Sequence, residues 1–219
     1  MTGPVNPKRS YNSPRRRKQA EETRREILEA AQRLFERHGY AATTVAAIAA
    51  EAGVALKTVY LAFDTKGGVL RALWNLLLRG DEDDTPVAER AWYRETLDEP
   101  DPERQLQLNA RNSRAGKERV AAVGEAIRTA ASTDPEIAAL WDRIESNYYE
   151  NQGLIVESLA AKSALAPGLD VKTATDILWT INHPTVWQLL VLRQGWTPER
   201  YEEWCVRTAC SQLLAGHGE

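Results

Sequence analysis

Residues Thr43–Lys66 read TTVAAIAAEAGVALKTVYLAFDTK. Val45, Ile48, Ala49 and Ala52 recur at i, i+3, i+4 and i+7, which places them on one face of a short helix. Gly53 stands where such a helix needs a left-handed residue to end, and Val54 follows as a turn hydrophobe. Val59, Tyr60 and Phe63 then resume an inward-facing helical spacing. Two short helices about a glycine turn predict a helix-turn-helix unit, whose second helix fits the DNA major groove.

Working outward, Gly39, Thr43-Thr44, Ile48-Ala49, Ala52-Gly53-Val54, Thr58-Val59-Tyr60, Phe63 and Lys66 together resemble the DNA-binding domain of TetR-family repressors. The resemblance covers roughly residues 20 to 75, and the rest of the chain matches only in length and helical character. It implies a homodimer on a palindromic double-stranded operator, with a C-terminal domain that dimerises and takes a small-molecule effector. It also implies that Lys66 contacts the DNA backbone and that the helix after it links head to regulatory domain. Two positions depart from the pattern. Ala55 stands where a capping serine is common, and Ala62 where a tyrosine or histidine often meets the backbone. Gly67-Gly68 likewise replaces helix-forming residues at the start of the linking helix, either loosening it or forming only its first turn.

The totals set the bounds. At 219 residues the chain has room for one or two domains with a proper core, and 43% apolar with 27% charged residues is a water-soluble globular composition. No run reaches the ~18 to 20 apolar residues of a membrane span. The basic, proline-bearing start lacks the apolar stretch of a secretory signal. Cys205 and Cys210, five apart in an expected helix, match neither a zinc knuckle nor a disulfide framework, which points to a reducing, cytoplasmic setting. The net charge of −3 argues against nucleic acid until its distribution is read. Residues 1–67 hold 12 Lys/Arg against 7 Asp/Glu, whereas residues 68–219 hold 16 against 24. One end of the chain is built to meet phosphate.

In order, residues 1–20 are expected to be a disordered basic arm, either a DNA-contacting tail or a solvated leader, with Lys8, Arg9, Arg15, Arg16, Arg17 and Lys18 and no acid. Residues 21–67 form the expected DNA-binding domain, its first helix running from Glu21 to His38 and stopped by Gly39. Thr43 or Thr44 caps the next helix. Residues 68–219 form the expected regulatory and dimerisation domain. Asp81-Glu82-Asp83-Asp84 reads as a solvated connector. Asp101-Pro102-Glu103, Asp134-Pro135-Glu136 and Thr197-Pro198-Glu199 repeat one helix start, an N-cap, proline and early carboxylate, and Asp170 adds a fourth cap. They predict helices over 102–131 (with a break near Gly116), 135–163, 171–193 and 198–215. No strand alternation occurs, so the fold class is all-α: a three-helix helix-turn-helix head and a helical C-terminal domain.

For DNA, the residues expected at the groove are Thr43, Thr44, Leu56, Lys57, Thr58, Tyr60, Leu61 and Lys66. A lysine reaches guanine or phosphate, hydroxyls donate to phosphate, and leucines meet thymine methyls. For a ligand, all seven tryptophans lie at or after Trp74, which favours an apolar chamber with a few orienting groups and an apolar or aromatic effector. The expected lining is Arg111, Trp141, Asn147, Tyr148, Trp179, Asn182, His183 and Trp187, with Arg111 and Asn109 positioned to bind a carboxylate and Pro184 kinking a helix beside His183. Tryptophans at helical spacing also serve as plain core, so each of these positions carries both readings. Val186, Leu189, Leu190, Tyr201 and Trp204 lie on the heavily apolar last two helices and are the expected dimer interface; burial within one chain is the alternative. His38, His183 and His217 form no metal pair, and no nucleophile, phosphate or dinucleotide motif is present, so neither enzyme activity, a metal nor a cofactor is expected. A ligand-independent activator or architectural DNA-binder, whose C-terminal domain only dimerises, is the alternative to an effector-released repressor.

Overall fold

The computed structural model describes residues 14–79 and 85–216, and among these it is all-α apart from one isolated bridge between Leu165 and Leu214. The acidic connector expected over residues 81–84 lies outside the described residues. The chain divides into two compact units, and the division falls between Val69 and Leu70.

In the first unit, α1 (Pro14–Ala42) carries Ile27, Ala31, Leu34 and Phe35 on its buried face. The helix starts seven residues before Glu21, which corrects the arm expected over 1–20: residues 14–20 are helical, and 1–13 lie outside the described residues. The cations there sit one turn from acids, with Arg17–Glu21 and Lys18–Glu22 ion pairs at i, i+4. Gly39 leaves helical geometry at φ 73°, so the expected stop is real although the chain coils on to Ala42. Then come α2 (Val45–Glu51) and α3 (Leu56–Phe63), whose directions differ by 111°. Ile48, Ala49, Val59 and Phe63 bury the facing sides. Gly53 closes α2 at φ 67°, and the Val54 amide donates back to Ala49 O.

The next helix, α4 (Lys66–Arg79), begins under α3 so closely that a Cβ on Gly68 would lie 2.0 Å from the Phe63 carbonyl oxygen. Glycine is therefore demanded there by contact, and the Gly68 amide is capped by Thr65 Oγ1 at 2.8 Å. Of the two readings of Gly67-Gly68, the close-fitting first turn is the observed one.

The second unit is built from α5 (Ala91–Asp98), α6 (Pro102–Ala131), α7 (Pro135–Ala161), α8 (Val171–Asn182), α9 (Pro184–Trp187) and α10 (Pro198–Leu213). Asp101, Asp134, Asp170 and Thr197 each accept a backbone N–H as the N-cap that the sequence predicts. Two expectations need correction. α6 runs unbroken through Gly116, because Lys117 and Val120 beside it are buried and hold the helix in register. The helix expected over 171–193 is instead three pieces. His183 takes an extended conformation (ψ 139°), as a residue before proline is pushed to do, and α9 restarts at Pro184. A π turn over Gln188–Arg193 follows; its i to i+5 bonding abandons the register that buries α8, and Leu189 and Leu192 come to the surface. The core of this unit unites Leu106 and Ala110, Ile155, Val156 and Leu159, Leu178 and Ile181, Trp187, and Tyr201, Cys205 and Leu213. No single helix among the described residues is long and apolar enough to cross a membrane.

Candidate functional site

In the first unit the site is the outer side of α3. Val59 and Phe63 are buried, which turns Leu56, Lys57 and Leu61 outward, Leu61 at 78% exposure. Tyr60 belongs to this outer set at 48% exposure, not to the inward set that spacing alone gave it, while Thr58 is half-buried. Ala55 is the N-cap of α3 with no side-chain bond, so the first amides of the helix are left for another acceptor. The angle of α3 is held from behind. Arg24 donates to Ala62 O at 2.8 Å with its guanidinium 4.2 Å from the Phe63 ring, and Arg33 pairs with Glu51. At the start of α2, Thr44 makes the cap, accepting from the Ala47 amide, and stays exposed. Thr43 is 2% exposed and its hydroxyl points inward, to Gly39 O and Leu34 O. Its one hydroxyl hydrogen is committed there, so it has no donor to offer a phosphate. Lys66 Nζ donates to Tyr40 O and Thr43 O and lies 4.0 Å over the Tyr40 ring, bracing the turn between α1 and α2.

In the second unit the polar groups converge on the interior faces of α6, α7 and α8. Asn109 Nδ2 donates to Gln152 Oε1 at 3.0 Å, and Asn182 Nδ2 reaches the same oxygen at 3.4 Å. Tyr148 Oη donates to Asn182 O at 2.8 Å and shares a hydrogen bond with Ser113 Oγ. Lys117, 6% exposed, donates to Ser113 Oγ and to Tyr148 Oη. Burial pushes the Tyr148 and Tyr201 phenols well above their ordinary range and lifts the Cys205 thiol to about 11, so all three are neutral. The same desolvation lowers the Lys117 amine to about 7.

Of the expected ligand residues, Tyr148, Asn182 and Trp187 meet in or beside this cluster. Arg111 and Asn147 do not. Both are exposed, because each lies far round its helix from a residue that faces inward, Arg111 two positions after Asn109 and Asn147 five before Gln152. His183 is a capping residue, its Nδ1 accepting from the Thr185 amide and its Nε2 3.2 Å from Glu145 Oε1. Trp179 packs edge-on against His183 and Tyr149, and Trp141 is half-buried. An open hollow of about 430 Å³, lined by Tyr149, Glu150, Gly153, Leu154, Glu157 and Thr175, contains none of the eight. Tyr201, expected at a subunit interface, is fully buried within its own chain against Trp187 and donates to Ile181 O. Val186, Leu190 and Trp204 are half-buried and Leu189 is exposed. Among the described residues, no three His, Cys, Asp or Glu side chains are grouped to hold a metal.

Residues 27–73 match the model of the bacterial regulatory proteins of the tetR family. This stretch, from α1 to the first turns of α4, is what the chain shares with the tetR family. The HTH-type transcriptional regulator TtgR of Pseudomonas putida is 43% identical over 63 residues, and so is the probable HTH-type transcriptional regulator ArpR of the same species. These matches span 29% of this chain and only 30% of either relative's length. Over most of the chain the likeness is one of fold. The SmeT–triclosan complex superposes with a TM-score of 0.70 at 19% identity, covering 88% of this chain and 92% of SmeT. FadR from Bacillus subtilis in complex with stearoyl-CoA gives 0.68 at 21%, covering 85% and 97%.

Outside the stretch that matches the tetR family, sequence reasoning missed Lys117 and Ser113. Their signal was the i, i+4, i+8 series Asn109, Ser113, Lys117, which shares a face with the apolar Leu106 and Val120.

Proposed function

We propose that the chain is a homodimeric, DNA-binding transcriptional regulator that represses from a palindromic operator and is released by a small molecule taken into its helical unit. The observation that carries the DNA reading is the side-chain partition of α3. A helix eight residues long commits Val59 and Phe63 inward and turns two leucines, a lysine and a tyrosine out, which is the face a major groove requires. Lys57 reads guanine or phosphate, Tyr60 and Thr44 contact phosphate, and Leu56 and Leu61 meet thymine methyls. Thr58 and Lys66 stand behind them. The relatives that match the head are described as transcriptional regulators, and structural neighbours hold triclosan and stearoyl-CoA, molecules with apolar bodies, which supports an effector in the helical unit. Release proceeds as a population shift, because an effector that prefers one arrangement of α6 changes what α6 does to α4: Arg119 on α6 donates to Leu77 O and Leu78 O at the end of α4.

The test is a fluorescence-anisotropy titration of the full chain on the DNA upstream of its own gene, at about 50 and about 200 mM salt. Wild type should bind tightly and lose affinity with salt, and Lys57→Ala should weaken binding by roughly tenfold or more. Unchanged affinity in Lys57→Ala would remove α3 from the role of reading helix.

A further inference from the structure

Lys117 lies in the middle of α6 with no anion beside its amine. Its Nζ donates to the Ser113 and Tyr148 hydroxyls and lies 5.6 Å from the Tyr148 ring centroid and 5.4 Å from that of Tyr201. No carboxylate among the described residues forms an ion pair with it. The ionisable groups that face it, Tyr148 from α7 and Tyr201 and Cys205 from α10, are all held in their neutral forms by burial. A lysine that only braces a core is expected to have a carboxylate beside it, since a buried charge left unpaired is among the most costly arrangements in a protein. A methionine of similar length would fill the same space without that cost.

Two further groups in the same neighbourhood lack partners. Asn182 Oδ1 accepts no hydrogen bond although Asn182 is 2% exposed, and its own backbone oxygen is the one that Tyr148 holds. Trp187 Nε1 donates to nothing at 3% exposure, and its ring stacks edge-on against Tyr201 at 5.0 Å. An amine without an anion, an indole N–H without an acceptor and an amide oxygen without a donor thus belong to residues that contact Tyr148 or Tyr201. Orphaned buried groups of this kind are rare in native proteins and call for an explanation. One ligand accounts for all three: an acid, with an apolar body for the aromatic rings and a hydroxyl or N–H for Asn182.

We propose that the effector of this chain is an organic acid whose carboxylate pairs with Lys117 inside the helical unit. This rests on the reading that the helical unit takes an effector, and narrows that effector from apolar to acidic. The carboxylate restores the proton that Lys117 gives up when buried alone. Binding above about pH 7 therefore takes up close to one proton, and affinity falls as pH rises further.

Isothermal titration of the full chain against a panel of monocarboxylates and their uncharged amides decides the matter: octanoate and octanamide, phenylacetate and phenylacetamide, salicylate and salicylamide. At least one acid should bind tenfold or more tighter than its amide. Lys117→Met should lose that difference while keeping its helical circular dichroism. Repeating the titration near pH 8.5 in buffers of different ionisation enthalpy should show proton uptake in wild type, a readout that stands even if Lys117→Met fails to fold. Amides binding as well as acids, Lys117→Met keeping the acid preference, or no acid binding at all would each overturn the proposal. DNA release separates the two levels. Release by amides and not by acids sinks only the acid assignment, whereas acids that bind without releasing DNA leave Lys117 its ligand and sink the effector reading.

Discussion

Lys117, buried without a carboxylate partner, carries a stability cost with a predictable pH window. An unfolded lysine titrates near ~10.4, whereas burial lowers this one to about 7. Below about pH 7 both states carry the proton and the full cost of burying the ammonium is present. Between about pH 7 and about pH 10 the unfolded chain holds one proton more than the folded chain, so stability rises with pH. Lys117→Met should therefore be more stable than wild type near pH 6, by something on the order of a few kcal/mol, and the gap should narrow by about pH 9. Chemical denaturation of both proteins at the two pH values measures this, and subtraction cancels the other titrating groups. A variant less stable than wild type at pH 6 would show the lysine to be a brace, not a binding group. Lys117 was hidden in the sequence for a physical reason. Lysines are almost always solvated, and a single lysine in a charged helix gives no sign of its burial until a face is assigned. Asn182 and Trp187 were readable because amides and indoles on apolar faces stand out; Arg111 misled because its chemistry suited a carboxylate while its helical phase pointed it to water.

At the scale of elements, chain punctuation carried most of the fold. The four caps Asp101, Asp134, Asp170 and Thr197 all accept the amides that their spacing predicts, since an N-cap is a local arrangement requiring no knowledge of the tertiary structure. The start of α1 could not be read the same way. Its first turns have no cap signal, and their cohesion comes from i, i+4 ion pairs that look like a solvated charge run. The break at His183 was visible only as a kink, because the restriction on a residue preceding proline tells where a helix is disturbed but not whether it resumes. The same capping logic yields a test on α3. Ala55 holds the extended backbone of an N-cap (φ −68°, ψ 141°) without a side-chain acceptor. Ala55→Ser adds an acceptor for the amide of Lys57, since the Thr58 amide already donates to Ala55 O, and should stabilise the head by about 0.5–2 kcal/mol. Slower amide exchange across α3, with unchanged exchange in α7, is the expected result. No slowing would mean that these amides are already satisfied by water or by the fold.

For the whole molecule, the question is what covers the apolar surface that the π turn creates. Leu189 and Leu192 on the π turn are 46% and 57% exposed, while Val186, Leu190 and Trp204 are half-buried against the core. Large side chains grouped this way on a surface mark an association site more often than a solvated one. A two-fold dimer would bury this patch against its own copy and supply the second reading head that a palindrome needs. Tyr201 plays no part in that surface, being committed inside the chain, so such a dimer would use a narrower face than the two apolar helices implied in sequence. Leu189→Glu puts a charge on the exposed side of the π turn and leaves α3 and Lys117 unaltered in sequence. Wild type should sediment at about twice the 24.5 kDa chain mass, and the variant as a single chain with its helical content intact. Its operator affinity should fall steeply, because one head forfeits the contacts of the second half-site, whereas acid binding through Lys117 should survive in the isolated chain. A variant that stays dimeric would move the interface off the π turn and leave Leu189 and Leu192 free for another partner; a monomer that also loses acid binding would place the ligand site under the control of dimerisation.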